Sequence, residues 1–241
     1  MFPIRDHNPS ERTPFVTIGL IFINLVMFFL SEGWSPGFNT LWEQGALYPV
    51  AVTNGQNLWG LISHMFLHAG IMHIAGNMLF LWIFGDNLED QMGHLPFLAF
   101  YLLGGLAAAG AQIAADPSSG IPMVGASGAI AGVMGGYLLL FPRARVDVLF
   151  IIVIILKIFP IPAWVVLGLW FIMQISSGFM LAGGDGGVAY WAHAGGFLAG
   201  LLMTLPLWLK KGAGGFWQAT RGKPPHPGVD YTPTRIPSVR R

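Results

Sequence analysis

Four polar side chains stand out because of where they sit. Ser127 lies in Gly125-Ala126-Ser127-Gly128, at the head of an uncharged apolar run. His193 lies in Ala192-His193-Ala194-Gly195-Gly196, inside another such run. His73 and Asn77 share a third, four positions apart and therefore on one face of a helix. Between them they comprise a nucleophile, a base and two hydrogen-bond donors. A serine hydroxyl attacks a carbonyl when an adjacent imidazole takes its proton, and fixed donors stabilise the oxyanion that develops. Taken singly, each residue has a blander reading. A serine in an apolar helix most often packs or bonds its own backbone, and Asn and His often hold helices together through hydrogen bonds. Ionisable groups within apolar segments are nonetheless functional candidates, and apart from Lys157 near a boundary no other lies inside these runs.

The elements that carry these residues are membrane helices. Charged residues make up 10% of the 241 positions, against about 25% in ordinary globular domains. Hydrophobic residues make up 54%, so most of the surface must face lipid. The net charge of +1 and the lack of a basic stripe with interleaved aromatics argue against a nucleic-acid partner. With no cysteine, disulfides and thiol catalysis are excluded. Met1–Pro14 has no basic start followed by an apolar core, so it does not read as a signal peptide.

Six spans are expected: Phe15–Leu30, Ile71–Gly85, Leu95–Ala115, Met123–Phe141, Pro162–Leu181 and Val188–Leu209, several needing their flanks to reach full length. Ser31–Gly70 is a long connection with Trp34, Trp42, Tyr48 and Trp59 and no Lys or Arg. It reads as a partly structured loop at the membrane interface. Asp86–His94 and Asp116–Pro122 read as short loops, and Ala182–Gly187 as a glycine-rich one. Val148–Leu156 is too short to span and reads as an interfacial or tilted segment, with Pro160 and Pro162 interrupting any helix after it. Three parts result: a cytoplasmic segment 1–14, an all-α six-helix membrane domain 15–209, and a disordered, basic, proline-rich cytoplasmic tail 210–241. All twelve Lys and Arg fall on the N-terminal side of the membrane under this plan, so the positive-inside rule puts both termini in the cytoplasm. Spans two, four and six then run inward from the outer face. At roughly 1.5 Å per residue, Ser127, one turn into span four, comes to a depth similar to that of His193, His73 and Asn77.

The Gly-Ala-Ser-Gly of Gly125–Gly128, the His-x-x-x-Asn of His73–Asn77 and the Ala-His-Ala-Gly-Gly of Ala192–Gly196 together resemble the rhomboid family of intramembrane serine proteases. The resemblance runs from about Thr13 to Leu209, with the motifs on the second, fourth and sixth spans. It implies a rhomboid-like bundle with a Ser127–His193 dyad and no carboxylate. Ser127 is then the nucleophile, and His193 is base and then acid. His73, Asn77 and the Ser127 backbone N–H are then oxyanion donors, with His73 a donor and not a base. It further implies that the substrates are transmembrane proteins, cut near the outer end of a span where the helix is locally undone. No cofactor and no metal are implied, and the compact six-span form points to a multi-pass protein of a prokaryotic plasma (inner) membrane. Gly125, Gly128, His68 and Gly196 are expected in supporting places. The stripe Gly128, Gly132, Gly136 on span four and the pair Gly196, Gly200 on span six would let those helices approach closely. His64 and His68 resemble positions that brace the first loop.

Two departures from the family pattern stand out. Trp59-Gly60 replaces a Trp-Arg pair, and Ala131 stands where some members place an aromatic over the histidine, so His193 must be oriented by something else. Span five, after Pro160 and Pro162, is the candidate for lateral opening to substrate. Rival readings are a non-catalytic rhomboid-like protein that binds membrane proteins, a transporter, and a metal site built on His64, His68 and His73. Asp116 or Asp185 could in principle complete a triad of the soluble type. The oligomeric state is not encoded in any motif.

Overall fold

The computed structural model describes residues 2–8, 10–31, 38–152, 155–180 and 188–223. Helices occur at all six expected places: α1 (Phe15–Ser31), then after the short α2 (Phe38–Gly45), α3 (Pro49–Thr53) and α4 (Gly60–Ser63) come α5 (Ile71–Met92), α6 (His94–Ala115), α7 (Ser127–Leu140), α8 (Ala163–Met180) and α9 (Tyr190–Lys210). Three of these, α6, α8 and α9, are long and apolar enough to cross a membrane. Gly60–Phe66 together with α5 makes a fourth candidate, bent by 92°. α1 and α7 are apolar but shorter. The rim of the bundle is apolar: Phe22 and Phe29 of α1, Ile172 and Phe179 of α8 and Leu202 of α9 are all exposed, a surface that water does not favour and lipid does.

At the centre stands α7. Nearly every one of its residues is buried, as expected of a helix that is apolar all round. Its glycines meet α9 backbone to backbone. A side chain at Gly196 would strike the Gly128 carbonyl, and one at Gly200 would strike the backbone of Gly132. On α7 itself, Gly128 leaves room for Ala108 of α6 and Gly136 for Thr204 of α9. The expected glycine stripe is therefore the seam along which α7 and α9 touch.

Several boundaries differ from those expected. The region is not all-α. Where an interfacial or tilted segment is expected over Val148–Leu156, β2 (Arg145–Ile152) and β3 (Ile155–Pro162) pair antiparallel. A run rich in Ile and Val favours strand, and Pro160 and Pro162 lie on an edge strand, where no neighbour needs their N–H. The N-terminal segment adds β1 (Phe2–Asp6), giving the order β1-β2-β3. Asp147 of β2 holds it there through Arg5 Nη2 at 2.8 Å and His7 Nε2 at 2.7 Å. The Tyr137 hydroxyl, near the far end of α7, donates to Asp6 Oδ2 at 2.7 Å. Asp6 and Asn8 are thus joined to the far end of the central helix.

The acidic turn expected at 86–94 is the helical end of α5, which stops only at Gly93, at φ +84°. There Glu89 is buried and accepts from the Val16 N–H at 2.8 Å and from the Thr17 N–H and hydroxyl at 2.7 Å. It satisfies donors that the first turn of α1 leaves open. The expected tail is partly folded: α10 (Gly214–Thr220) docks through Trp217, whose Nε1–H donates to the Leu139 carbonyl at 2.9 Å and whose ring meets Trp208. The remainder of the tail, 224–241, the loop 182–187 and Trp34 lie outside the described residues.

Candidate active site

The four residues come together. Ser127 Oγ lies 2.8 Å from His193 Nε2, across 66 sequence positions. With His73 and Asn77 they line one cavity of about 490 Å³, which Gly125 and Trp170 also border. Each sits near the N-terminus of its helix: Ser127 is the first residue of α7, His193 the fourth of α9, His73 the third and Asn77 the seventh of α5. The expectation that Ser127 lies one turn into its helix is corrected. Met123–Ala126 is not helical, because φ is +127° at Gly125. This stretch is held instead by backbone bonds: Met123 pairs with Leu47, and the Gly125 N–H donates to the His64 carbonyl at 2.9 Å. As a result the Ser127 N–H belongs to the first turn of α7, where amides have no partner within the helix.

Gly125 has a second reason to lack a side chain. A Cβ there would lie 2.8 Å from His73 Nε2 and 3.5 Å from Ser127 Oγ, so those two atoms flank one small volume. His73 Nδ1 accepts the Ala69 N–H at 3.4 Å, which leaves the proton on Nε2, the nitrogen facing that volume. Asn77 is buried, and its Nδ2 has no partner among the described residues. A buried amide N–H without a partner is uncommon and calls for an explanation. Two donors, the Ser127 hydroxyl and the imidazole that can receive its proton thus converge on one place.

The supporting positions fall as follows. Gly128 and Gly196 face each other at the α7–α9 seam. His68 is buried, its carbonyl accepts Trp42 Nε1–H at 3.3 Å, and its ring meets the His73 ring edge-on at 5.1 Å. His64 Nδ1 bonds the Gly60 carbonyl at 2.8 Å. His64 opens a 3-10 turn that ends at Phe66, so His64 and His68 do not share the helix face that the metal reading needs. Among the described residues no group of three or more His, Asp or Glu is placed to hold a metal ion. Asp116 is at the end of α6, bonded to Ser118 Oγ at 3.2 Å, and Asp185 lies outside the described residues. Where the family's loop arginine is missing, a side chain at Gly60 would meet the Ala46 carbonyl at 3.0 Å. Asn57 Nδ2 bonds that carbonyl instead, at 2.8 Å.

Sequence reasoning missed Gln174 and Gln112. Gln174 Oε1 lies 2.8 Å from His193 Nδ1. The signal was present, because Gln174 is the only amide side chain in its uncharged segment. Gln112 of α6 accepts the Ala192 N–H at 3.2 Å, beside His193 at the open start of α9. The Trp170 ring lies 5.7 Å from that of His193, on the neighbouring span and not at Ala131.

Comparison with known proteins identifies the family. The rhomboid domain model matches residues 55–210. The chain is 37% identical over 127 residues to Rhomboid protease GluP of Bacillus subtilis, a match covering 52% of this chain and 24% of the relative. It is 30% identical over 182 residues to RHOMBOID-like protein 5 of Arabidopsis thaliana, covering 73% and 52%. It is 32% identical over 149 residues to the mitochondrial Rhomboid protein 1 of Saccharomyces cerevisiae, covering 59% and 40%. The matches therefore span from about a quarter to about half of these relatives' lengths. With its apolar helices and a domain match over more than half its length, this chain is a membrane protein of the rhomboid family.

Proposed function

We propose that the protein is an intramembrane serine endopeptidase that cuts other membrane proteins in or near their transmembrane segments. The observation that carries this reading is the 2.8 Å contact between Ser127 Oγ and His193 Nε2, beside Asn77 Nδ2, which has no partner among the described residues. Ser127 attacks the scissile carbonyl as His193 Nε2 takes its proton. The oxyanion meets the Asn77 Nδ2–H, the His73 Nε2–H and the Ser127 N–H. His193 then protonates the departing amine, and water, activated by the same imidazole, releases the acyl group.

The short central helix supports a site below the membrane surface. At roughly 1.5 Å per residue, the 14 residues of α7 reach about 21 Å, less than the ~30 Å of a hydrocarbon core. The non-helical Met123–Ala126 descends to it within protein, where irregular backbone is tolerated at membrane depth. We read α7 with α1, α5, α6, α8 and α9 as six spans, with both termini in the cytoplasm by the positive-inside rule and the cavity facing the outer leaflet of a plasma membrane. A substrate helix must unwind locally to be cut, because a helix hides its carbonyls.

The test is labelling by a fluorophosphonate probe. Wild type is expected to be labelled at Ser127, and both Ser127→Ala and His193→Ala to lose labelling and proteolysis while remaining folded. Labelling that survives in Ser127→Ala would overturn the reading.

A further inference from the structure

We infer that Gln174 is a positioning residue that holds His193 in the tautomer required for proton transfer, in the place where a soluble serine hydrolase would use a carboxylate. This inference rests on the Ser127–His193 reading above. A neutral imidazole has one proton, and the nitrogen carrying it is set by the partner of the other. For His193 Nε2 to accept from Ser127, Nδ1 must hold the proton. The atom facing Nδ1 is Gln174 Oε1, at 2.8 Å. Its orientation follows from the other end of the amide, where Gln174 Nε2 lies 3.4 Å from the Trp170 carbonyl. A carbonyl only accepts, so the amide NH₂ faces Trp170 and the amide oxygen faces the imidazole. Each bond then has one allowed sense: Gln174 donates to Trp170, His193 Nδ1–H to Gln174, and Ser127 Oγ–H to His193 Nε2.

The surroundings favour an amide here. Gln174 is 4% exposed and sits mid-helix in α8 between Leu167 and Gly178, which are also buried. A carboxylate at such a position would have to be desolvated, whereas a glutamine supplies the same acceptor geometry without the charge. With Ala131 where some relatives carry an aromatic, Gln174 and the Trp170 ring are the groups that orient His193 from α8. The simpler alternative is that Gln174 only joins α8 to α9, as polar side chains often do between membrane helices.

Three variants of the full chain, in lipid nanodiscs, separate these roles: Gln174→Met, near in size but with no comparable acceptor; Gln174→Glu, which keeps an oxygen; and Ser127→Ala. The readouts are the fluorophosphonate labelling rate and the ¹⁵N NMR shifts of His193, identified by their loss in His193→Ala. Wild type is expected to show the Nδ1–H tautomer. Gln174→Met is expected to shift toward Nε2–H and to label about 10²-fold more slowly, the lower range for general-base assistance, with an unchanged melting temperature. Gln174→Glu at pH 8 is expected to keep the Nδ1–H tautomer and to label within about tenfold of wild type. An Nε2–H tautomer in wild type, or a wild-type rate in Gln174→Met, would overturn the inference. Should Gln174→Met melt early, the Glu variant decides: a slow rate with Nδ1–H retained sinks the inference. Absence of labelling in wild type, or its persistence in Ser127→Ala, instead sinks the dyad and is read separately, since the tautomer is observed without turnover.

Discussion

Replacing Asn77 by alanine should separate activity from stability. The side chain is buried, and its Nδ2 has no partner among the described residues. Truncation to alanine therefore breaks no Nδ2 hydrogen bond to a described residue and leaves only a small cavity, so stability should change by no more than about 1 kcal/mol. The transition state responds differently. One oxyanion donor is worth about 2.7–4 kcal/mol, and since His73 Nε2 and the Ser127 N–H remain, the lower figure applies. At 1.36 kcal/mol per decade, this amounts to about a 10²-fold fall in turnover, expressed in kcat rather than KM, because the donor acts only once charge has developed. Asn77→Asp should be worse than alanine, since it puts an acceptor where a donor is required. The assay is cleavage of a transmembrane substrate in reconstituted vesicles, with melting followed in parallel. A fall in kcat of less than about threefold would refute the reasoning. So would a fall matched by a stability loss above about 2 kcal/mol, because Asn77 would then be structural.

Other perturbations have equally definite outcomes. Gly200→Ala drives a methyl into the backbone of Gly132; prising α7 from α9 should cost about 1–3 kcal/mol and slow fluorophosphonate labelling as Ser127 and His193 separate. Glu89→Ala should lower stability by at least about 2 kcal/mol, since the N–H groups of Val16 and Thr17 lose a charged acceptor, as measured by thermal unfolding in detergent. Burial pushes the Asp6 carboxyl up to about 7 from 3.8, with Asp86 adding to the rise and the Tyr137 hydrogen bond opposing it. The folded state then holds a proton that the unfolded chain releases, so the contribution of Asp6 to stability is greatest below about pH 4, falls as pH rises toward 7, and levels off above it. Asp6→Asn should flatten that slope and raise the melting temperature at pH 8; an unchanged pH profile would show that Asp6 does not titrate in this range.

The membrane character and the candidate site residues were legible in the sequence because their signals are local. An uncharged apolar run is a span whatever surrounds it, and His73 and Asn77 share a face because four residues make about one helical turn. The hairpin of residues 145–162 was not legible. Its Ile and Val run fits a strand or a short interfacial helix equally well, and pairing with β1, about 140 positions away, is what decides between them. The end of α5 was misplaced for a related reason: Asp86, Glu89 and Asp90 look like a polar turn until Glu89 is seen to serve the first turn of α1. A single amide in an apolar helix, as at Gln174, carries no meaning until its partner is known.

Sequence alone determined the residue types, their order on three apolar segments and the glycines that allow close packing, since these depend on composition and on helical periodicity. Only the tertiary structure decided that Gly125 interrupts the helix just before Ser127, that Asn77 Nδ2 has no partner among the described residues, and that Gln174 faces the other side of the His193 ring. Those are contacts between helices, and a helix period gives the direction of a side chain without saying what the neighbouring helix sets against it.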